Sequence, residues 1–139
     1  MPGIWQPVTG TIRRGESIFA AAAREVREET GFVPELWWML EAPLLFFDRA
    51  SGGLMAVPRF AAEVDAEALV RRSKEHDAHA FLAPDRAGGR FLWDSQREAL
   101  HHLRRTVWRG GTLAKALEVP IKRFGRRRAP SQEKTRGQQ

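Results

Sequence analysis

The chain has 139 residues, 42% of them hydrophobic and 29% charged, with a formal net charge of +6. That length allows one domain with a modest core, not two independent ones. The absence of cysteine excludes disulfides, thiolate metal sites and cysteine nucleophiles. No apolar run reaches the roughly 20 residues of a membrane span, and no basic segment followed by an apolar stretch opens the chain as in a secretory signal. A cytoplasmic protein without a membrane partner is expected.

The charge is unevenly spread. Residues 122–139 hold seven Lys or Arg and one Glu, which accounts for the whole +6, while residues 1–121 hold 16 charges of each sign. The tail is too poor in apolar surface to offset the entropy of ordering, so a domain over residues 1–121 and a disordered basic tail over 122–139 are expected. Weak, non-specific contact with nucleic acid through that tail is one reading, and a solvated tail without a dedicated partner is the other.

In chain order, residues 1–16 are punctuated by Gly and Pro and read as strand and loop. A helix is predicted from Ser17, a capping residue, to Thr30, with Gly31 suited to the left-handed turn beyond its end. The apolar, aromatic run Glu35–Asp48 reads as a strand broken near Pro43, followed by a turn over Asp48–Gly53 and a hairpin partner over Leu54–Val64. Asp65–Arg72 reads as a short helical or irregular link, and His79–Leu82 as a short strand. A loop at Gly88-Gly89 precedes a second helix over Ser95–Trp108, with Ser95 and Glu98 spaced as a capping box. Gly110-Gly111 ends it, and Thr112–Glu118 adds a short helical turn. The pattern is α/β with a mainly antiparallel or mixed sheet, because no βαβ alternation recurs.

The chemistry is concentrated in residues 10–32. At about 100° per residue, Glu25, Glu28 and Glu29 fall within an arc of roughly 100° on the first helix. Phe19, Ala22, Ala23 and Val26 form the neighbouring, core-facing arc, and Arg24 and Arg27 are expected on the far side. Glutamates three and four apart repel by a few tenths of a kcal/mol per pair, which hard divalent cations relieve. Oxygen-only ligands suit Mg²⁺ or Mn²⁺ and give no support for Zn²⁺. Gly10 and Gly15 let a loop pass close beneath a charged ligand. Glu16 arrives from that loop, and Arg24 is placed to orient Glu16 or Glu28 through a bidentate ion pair.

The spacing of Gly10, Glu16, Arg24, Glu25, Val26, Glu28, Glu29, Gly31 and Phe32 resembles the Nudix box, G-x5-E-x7-R-E-U-x-E-E-x-G-U with U a large apolar residue, at every position. The resemblance implies an α/β/α sandwich and hydrolysis of a nucleoside or other diphosphate linked to a further group. It implies Mg²⁺ held by Glu25, Glu28 and Glu29, with Glu25 and Glu28 catalytic. Trp5-Gln-Pro-Val-Thr-Gly10 resembles a segment of the dihydroneopterin triphosphate pyrophosphatase group, which implies a substrate-binding stretch at Trp5 and Thr9; Thr9 reads equally well as a strand residue. Lys74-Glu75-His76 resembles a later Glu-His segment, which implies that Glu75 is a further metal ligand or base and His76 structural. Phe81 stands where the family commonly has Trp. Trp93, His101 and His102 read as packing or surface residues.

Family members carry a few dozen residues before the box and this chain carries nine. A sheet lacking N-terminal strands is therefore expected. The expected function is Mg²⁺-dependent hydrolysis of a diphosphate linkage in a nucleoside or pterin triphosphate-type small molecule. Cleavage of dinucleoside polyphosphates or RNA 5′ ends, and a non-catalytic binding module, are the alternatives. Nothing in the sequence sets the oligomeric state.

Overall fold

The first helix has a defined start and stop. In the computed structural model, which describes residues 4–73 and 76–120, α1 (Ile18–Thr30) begins where Ser17 Oγ accepts a hydrogen bond from the Ala20 N–H at 3.1 Å. It ends at Gly31, whose φ of 78° lets its N–H reach the Arg27 carbonyl at 3.0 Å. Four consecutive alanines fill its first half with the strongest helix former. The buried line of α1 differs from the predicted arc. Ala21 and Glu29 are buried, whereas Glu25 and the predicted arc of Phe19, Ala22, Ala23 and Val26 are all half-buried. Residues 21, 25 and 29 are spaced four apart, so one ridge of the helix carries an alanine and two glutamates inward.

β1 (Trp37–Asp48) and β2 (Gly53–Ala62) form an antiparallel hairpin, paired from Trp37↔Ala62 to Asp48↔Gly53. Its turn is closed by Asp48, whose carboxylate accepts from the N–H groups of Ala50 and Ser51 at 3.2 and 2.9 Å, and by Gly52 at φ 69°. The expected break near Pro43 is a shift in register: Leu40 pairs with Arg59, and Leu44 with Val57. The shift coincides with Pro43 and Pro58, which cannot donate to the ladder. Phe19 of α1 packs edge-on against Phe60 of β2, with ring centroids 5.2 Å apart, and so joins helix to hairpin.

After β2, residues 63–73 run irregularly past the end of α1. There the N–H groups of Arg71 and Ser73 donate to the carbonyls of Thr30 and Glu29 at 2.8 and 3.1 Å, satisfying the free carbonyls of the last helical turn. The predicted strand at His79–Leu82 is absent: these residues pair with no strand among the described residues and run into α2 (Pro84–Arg90). Gly88 and Gly89 belong to that helix rather than to a loop. Pro84 at its first turn starts it, and a Cβ on Gly88 would meet Leu100 at 3.7 Å.

α3 (Asp94–Leu103) starts one residue earlier than predicted, with Gln96 rather than Glu98 reaching back to the backbone N–H of Trp93, the residue before the helix, at 3.4 Å. It continues as a π-helical turn over Arg104–Trp108, where buried Thr106 donates its hydroxyl to the His102 carbonyl at 2.8 Å. Gly110 and Gly111, at φ 68° and 91°, turn the chain into α4 (Thr112–Leu117). Glu118 then bridges Trp38, and the Val119 N–H donates to the Trp37 carbonyl at 2.7 Å, covering the outer edge of β1. Trp37, Leu40, Ala114, Leu117 and Val119 are buried at this junction and make up most of the apolar core. In the described part of the N-terminal segment, strand character is limited to a parallel bridge between Trp5 and Phe91. The molecule is thus a mixed α/β protein with a small antiparallel sheet, as the sequence implies. Among the described residues no helix is long and apolar enough to cross a membrane.

Candidate active site

Arg24 organises the site. Its Nε and Nη2 each donate to one oxygen of Glu16, at 2.9 and 3.0 Å, a two-point fork of the kind that fixes carboxylate orientation. Nη1 donates to both Glu25 Oε1 at 2.7 Å and Glu28 Oε2 at 3.0 Å, and Nη2 also reaches the Thr11 carbonyl at 2.9 Å. One guanidinium therefore ties three carboxylates and the loop before the helix into a single unit. This corrects the expectation that Arg24 lies on the far side of the helix: Glu28 is four residues on, only 40° away around the axis.

The electrostatics follow the bonding. The Arg24 guanidinium, helped by the Arg13 backbone N–H, holds the Glu16 carboxyl down at about 2. The same carboxylates, Glu16 foremost, hold Arg24 further above its already high range.

Gly10 has a structural role different from the predicted one. A Cβ there would lie 2.0 Å from Glu25 Cδ and 2.2 Å from its Oε1, so what the bare backbone admits is the Glu25 side chain itself. Gly15, at φ 76°, makes the turn that brings Glu16 to the helix start. At Gly31 two constraints coincide: the left-handed backbone and Arg71 Cβ only 2.9 Å from where a side chain would begin.

Glu28 meets a second cation. Arg13 Nη2 lies 3.2 and 3.5 Å from its two oxygens. Sequence reasoning missed this contact because Arg13 occupies an unconstrained position of the motif. Glu29 is turned elsewhere. Its carboxylate is buried and hydrogen-bonds His76 Nε2 at 2.8 Å, a pair that no spacing rule predicts because 47 residues separate the two. Both line a cavity of about 320 Å³ together with Trp5, Val8, Phe32 and Phe81. Trp5 also carries Arg90 over its ring at 4.7 Å.

The expected trio Glu25, Glu28 and Glu29 is therefore divided. Glu25 and Glu28 share one guanidinium nitrogen, while Glu29 follows the buried line of the helix to His76. Thr9 is exposed and stands apart from these contacts. His102 lies 3.4 Å from Glu41, and Trp93 and His101 are exposed. Glu75 and the tail from residue 121 lie outside the described residues.

The donor set is oxygen-only and fits Mg²⁺ or Mn²⁺, and Mg²⁺ is commonly held by one or two carboxylates with phosphate oxygens and waters completing the shell. Among the described residues no three Asp, Glu or His side chains converge into a closed cage. The carboxylates of Glu16, Glu25 and Glu28 face two guanidinia, which leaves one negative charge over.

Comparison with known proteins settles the ancestry of this arrangement. The model of the NUDIX domain matches residues 1–103. The chain belongs to the Nudix family. An octanoyltransferase from Myxococcus xanthus is 35% identical over 107 residues, covering 70% of this Nudix chain and 28% of that protein. Nudix hydrolase 10 from Arabidopsis thaliana is 61% identical over 33 residues, 24% of this chain and 12% of that protein. The chain therefore spans between about an eighth and about a quarter of the length of these relatives. Nudix proteins act on nucleoside diphosphate-linked small molecules and generally use divalent metals.

Proposed function

We propose that this Nudix chain is a hydrolase of a diphosphate linkage in a nucleoside or pterin triphosphate-type substrate, working with Mg²⁺ or Mn²⁺. The observation that carries the reading is the placement of Glu25 and Glu28 side by side on Arg24, with a surplus negative charge beside the loop before the helix. In this reading Glu25 and Glu28 hold the cation, Glu29 serves as the third carboxylate on the side of the cavity, and Glu16 and Arg24 orient the set. The cation, when bound, neutralises phosphate charge and acidifies a water.

The chain's own residues do the rest. The Arg24 guanidinium offsets the mutual repulsion of the carboxylates and keeps them from turning away. The cavity, lined by Trp5, Phe32 and Phe81, offers flat apolar surface to the heterocyclic part of a substrate, with Thr9 in the segment leading to the box as a further contact. Water attacks one phosphorus atom, the anhydride P–O bond breaks, pyrophosphate or the monophosphate ester leaves according to which phosphorus is attacked, and a carboxylate takes the proton. Glu75 is assigned the auxiliary base on sequence grounds.

Mg²⁺-dependent release of pyrophosphate or a mononucleotide from a panel of triphosphates tests the reading. E28Q is expected to abolish it and E29Q to lower it by at least tenfold. Turnover in E28Q equal to that of the unmodified chain would sink it. Octanoyl transfer describes a protein of which this chain matches 28%, and no residue of the site favours it.

A further inference from the structure

Arg24 and Arg13 both pair with Glu28, but in different ways. The Arg24 side chain is 15% exposed, and every one of its nitrogens is engaged. The Arg13 side chain is 63% exposed and reaches Glu28 through one nitrogen. Its backbone, in contrast, is fixed on both sides: its N–H donates to Glu16 Oε2 at 3.0 Å, and its carbonyl accepts from the Glu16 N–H at 2.9 Å. A firmly seated residue thus rests a loosely held cation on the outer face of Glu28. An exposed ion pair through one nitrogen is weak and exchanges easily, whereas a fork held at several points does not. A divalent cation on the same carboxylate oxygens would also repel the guanidinium at close range.

We propose that Arg13 and a divalent cation are alternative partners of Glu28, and that the released guanidinium takes a phosphate oxygen of the diphosphate substrate. The proposal rests on the reading of Glu28 as a cation ligand. The anchored backbone keeps the released side chain within its own length of Glu28, which is where a phosphate served by Glu28 must lie. The planar guanidinium matches two phosphate oxygens at once, and a lysine would supply charge without that match. Arg13 accordingly contributes to substrate affinity and, without substrate, competes with the metal.

Two measurements separate these effects. Mn²⁺ binding followed by electron paramagnetic resonance, without substrate, is expected to be about fivefold tighter in R13Q than in the unmodified chain, the factor that matches an exposed ion pair. Binding of inorganic pyrophosphate in the presence of Mn²⁺, measured by calorimetry, is expected to weaken about tenfold in R13Q. R13K, which keeps the charge and loses the fork, is expected to fall between the two chains in both. Equal Mn²⁺ affinity in R13Q and the unmodified chain overturns the competition, and equal pyrophosphate affinity overturns the phosphate contact. E28Q distinguishes the underlying reading: undiminished Mn²⁺ binding in E28Q removes Glu28 as a ligand altogether. Weakened binding in E28Q with no effect of R13Q removes only the role of Arg13.

Discussion

Replacing Arg24 by alanine would leave Glu16, Glu25 and Glu28 close together without the guanidinium that joins them. R24A is expected to lose Mg²⁺-dependent turnover and to melt at lower temperature than R13Q, which removes a guanidinium that pairs with Glu28 alone; calorimetric melting of the two variants side by side checks this. Glu16 makes a prediction about acid. Its carboxyl is held at about 2 in the fold against an ordinary 4.5, so the unfolded chain binds the proton more readily. The stabilisation is therefore complete above about pH 4.5 and is lost as pH falls towards about 2. E16Q is expected to flatten that acid limb, as measured by urea unfolding at pH 3 and pH 7. At this scale the motif makes the pairing of Arg24 with Glu16 or Glu28 legible from spacing alone. The turning of Glu29 to His76 is not legible, because it depends on where residues 63–73 run after the hairpin.

Between elements, the site depends on how closely the loop at Gly10 lies against α1. G10A would drive a methyl group into a Glu25 side chain already fixed by Arg24. The expected cost is about 1–3 kcal/mol of stability, together with loss of activity because Glu25 must shift. G31A is expected to cost about 1 kcal/mol from its left-handed backbone, more if Arg71 cannot withdraw, and to leave the carboxylates bound to Arg24 in place. Chemical denaturation paired with turnover separates the two variants, since only G10A is expected to lose more activity than stability explains. The ends of α1, the hairpin and its turn are legible in the sequence because caps, prolines and the turn residues Asp48 and Gly52 act locally. The two failures have different causes: His79–Leu82 has strand-like composition but pairs with no strand among the described residues, and Gly88-Gly89 is carried into α2 by a proline start and packing against Leu100. The first depends on neighbours distant in sequence, and the second on the nearby Pro84 as well as on Leu100.

For the molecule as a whole, few side chains bear the packing. Buried apolar residues among those described are Ala21, Trp37, Leu40, Ala114, Leu117 and Val119. In the outer half of the hairpin, by contrast, Leu45, Phe47 and Leu54 are 57%, 65% and 71% exposed. Trp37 is the largest of the buried set at 2% exposed, and W37A is expected to cost about 3–5 kcal/mol. Domains commonly have only about 5–15 kcal/mol in total, so W37A is expected to be largely unfolded at 37 °C by circular dichroism. That Trp37 rather than its neighbour Trp38 would be the buried one cannot be read from an unbroken apolar run, since the choice is set by which face meets α4 and Val119.

The ion-pair cluster around Arg24 also bears on the order in which the chain assembles. Its side-chain contacts join residues at most 15 positions apart, and the hairpin closes over a six-residue turn segment, Asp48 to Gly53. Glu29 and His76 are 47 positions apart, and the bridges Trp5–Phe91 and Trp38–Glu118 span longer stretches still. Contacts over short separations form first, because less chain entropy is lost in closing them. The half of the site around Arg24 is thus expected to be built early in folding and the cavity half late, so that substitutions around Arg24 slow folding whereas those at His76 speed unfolding.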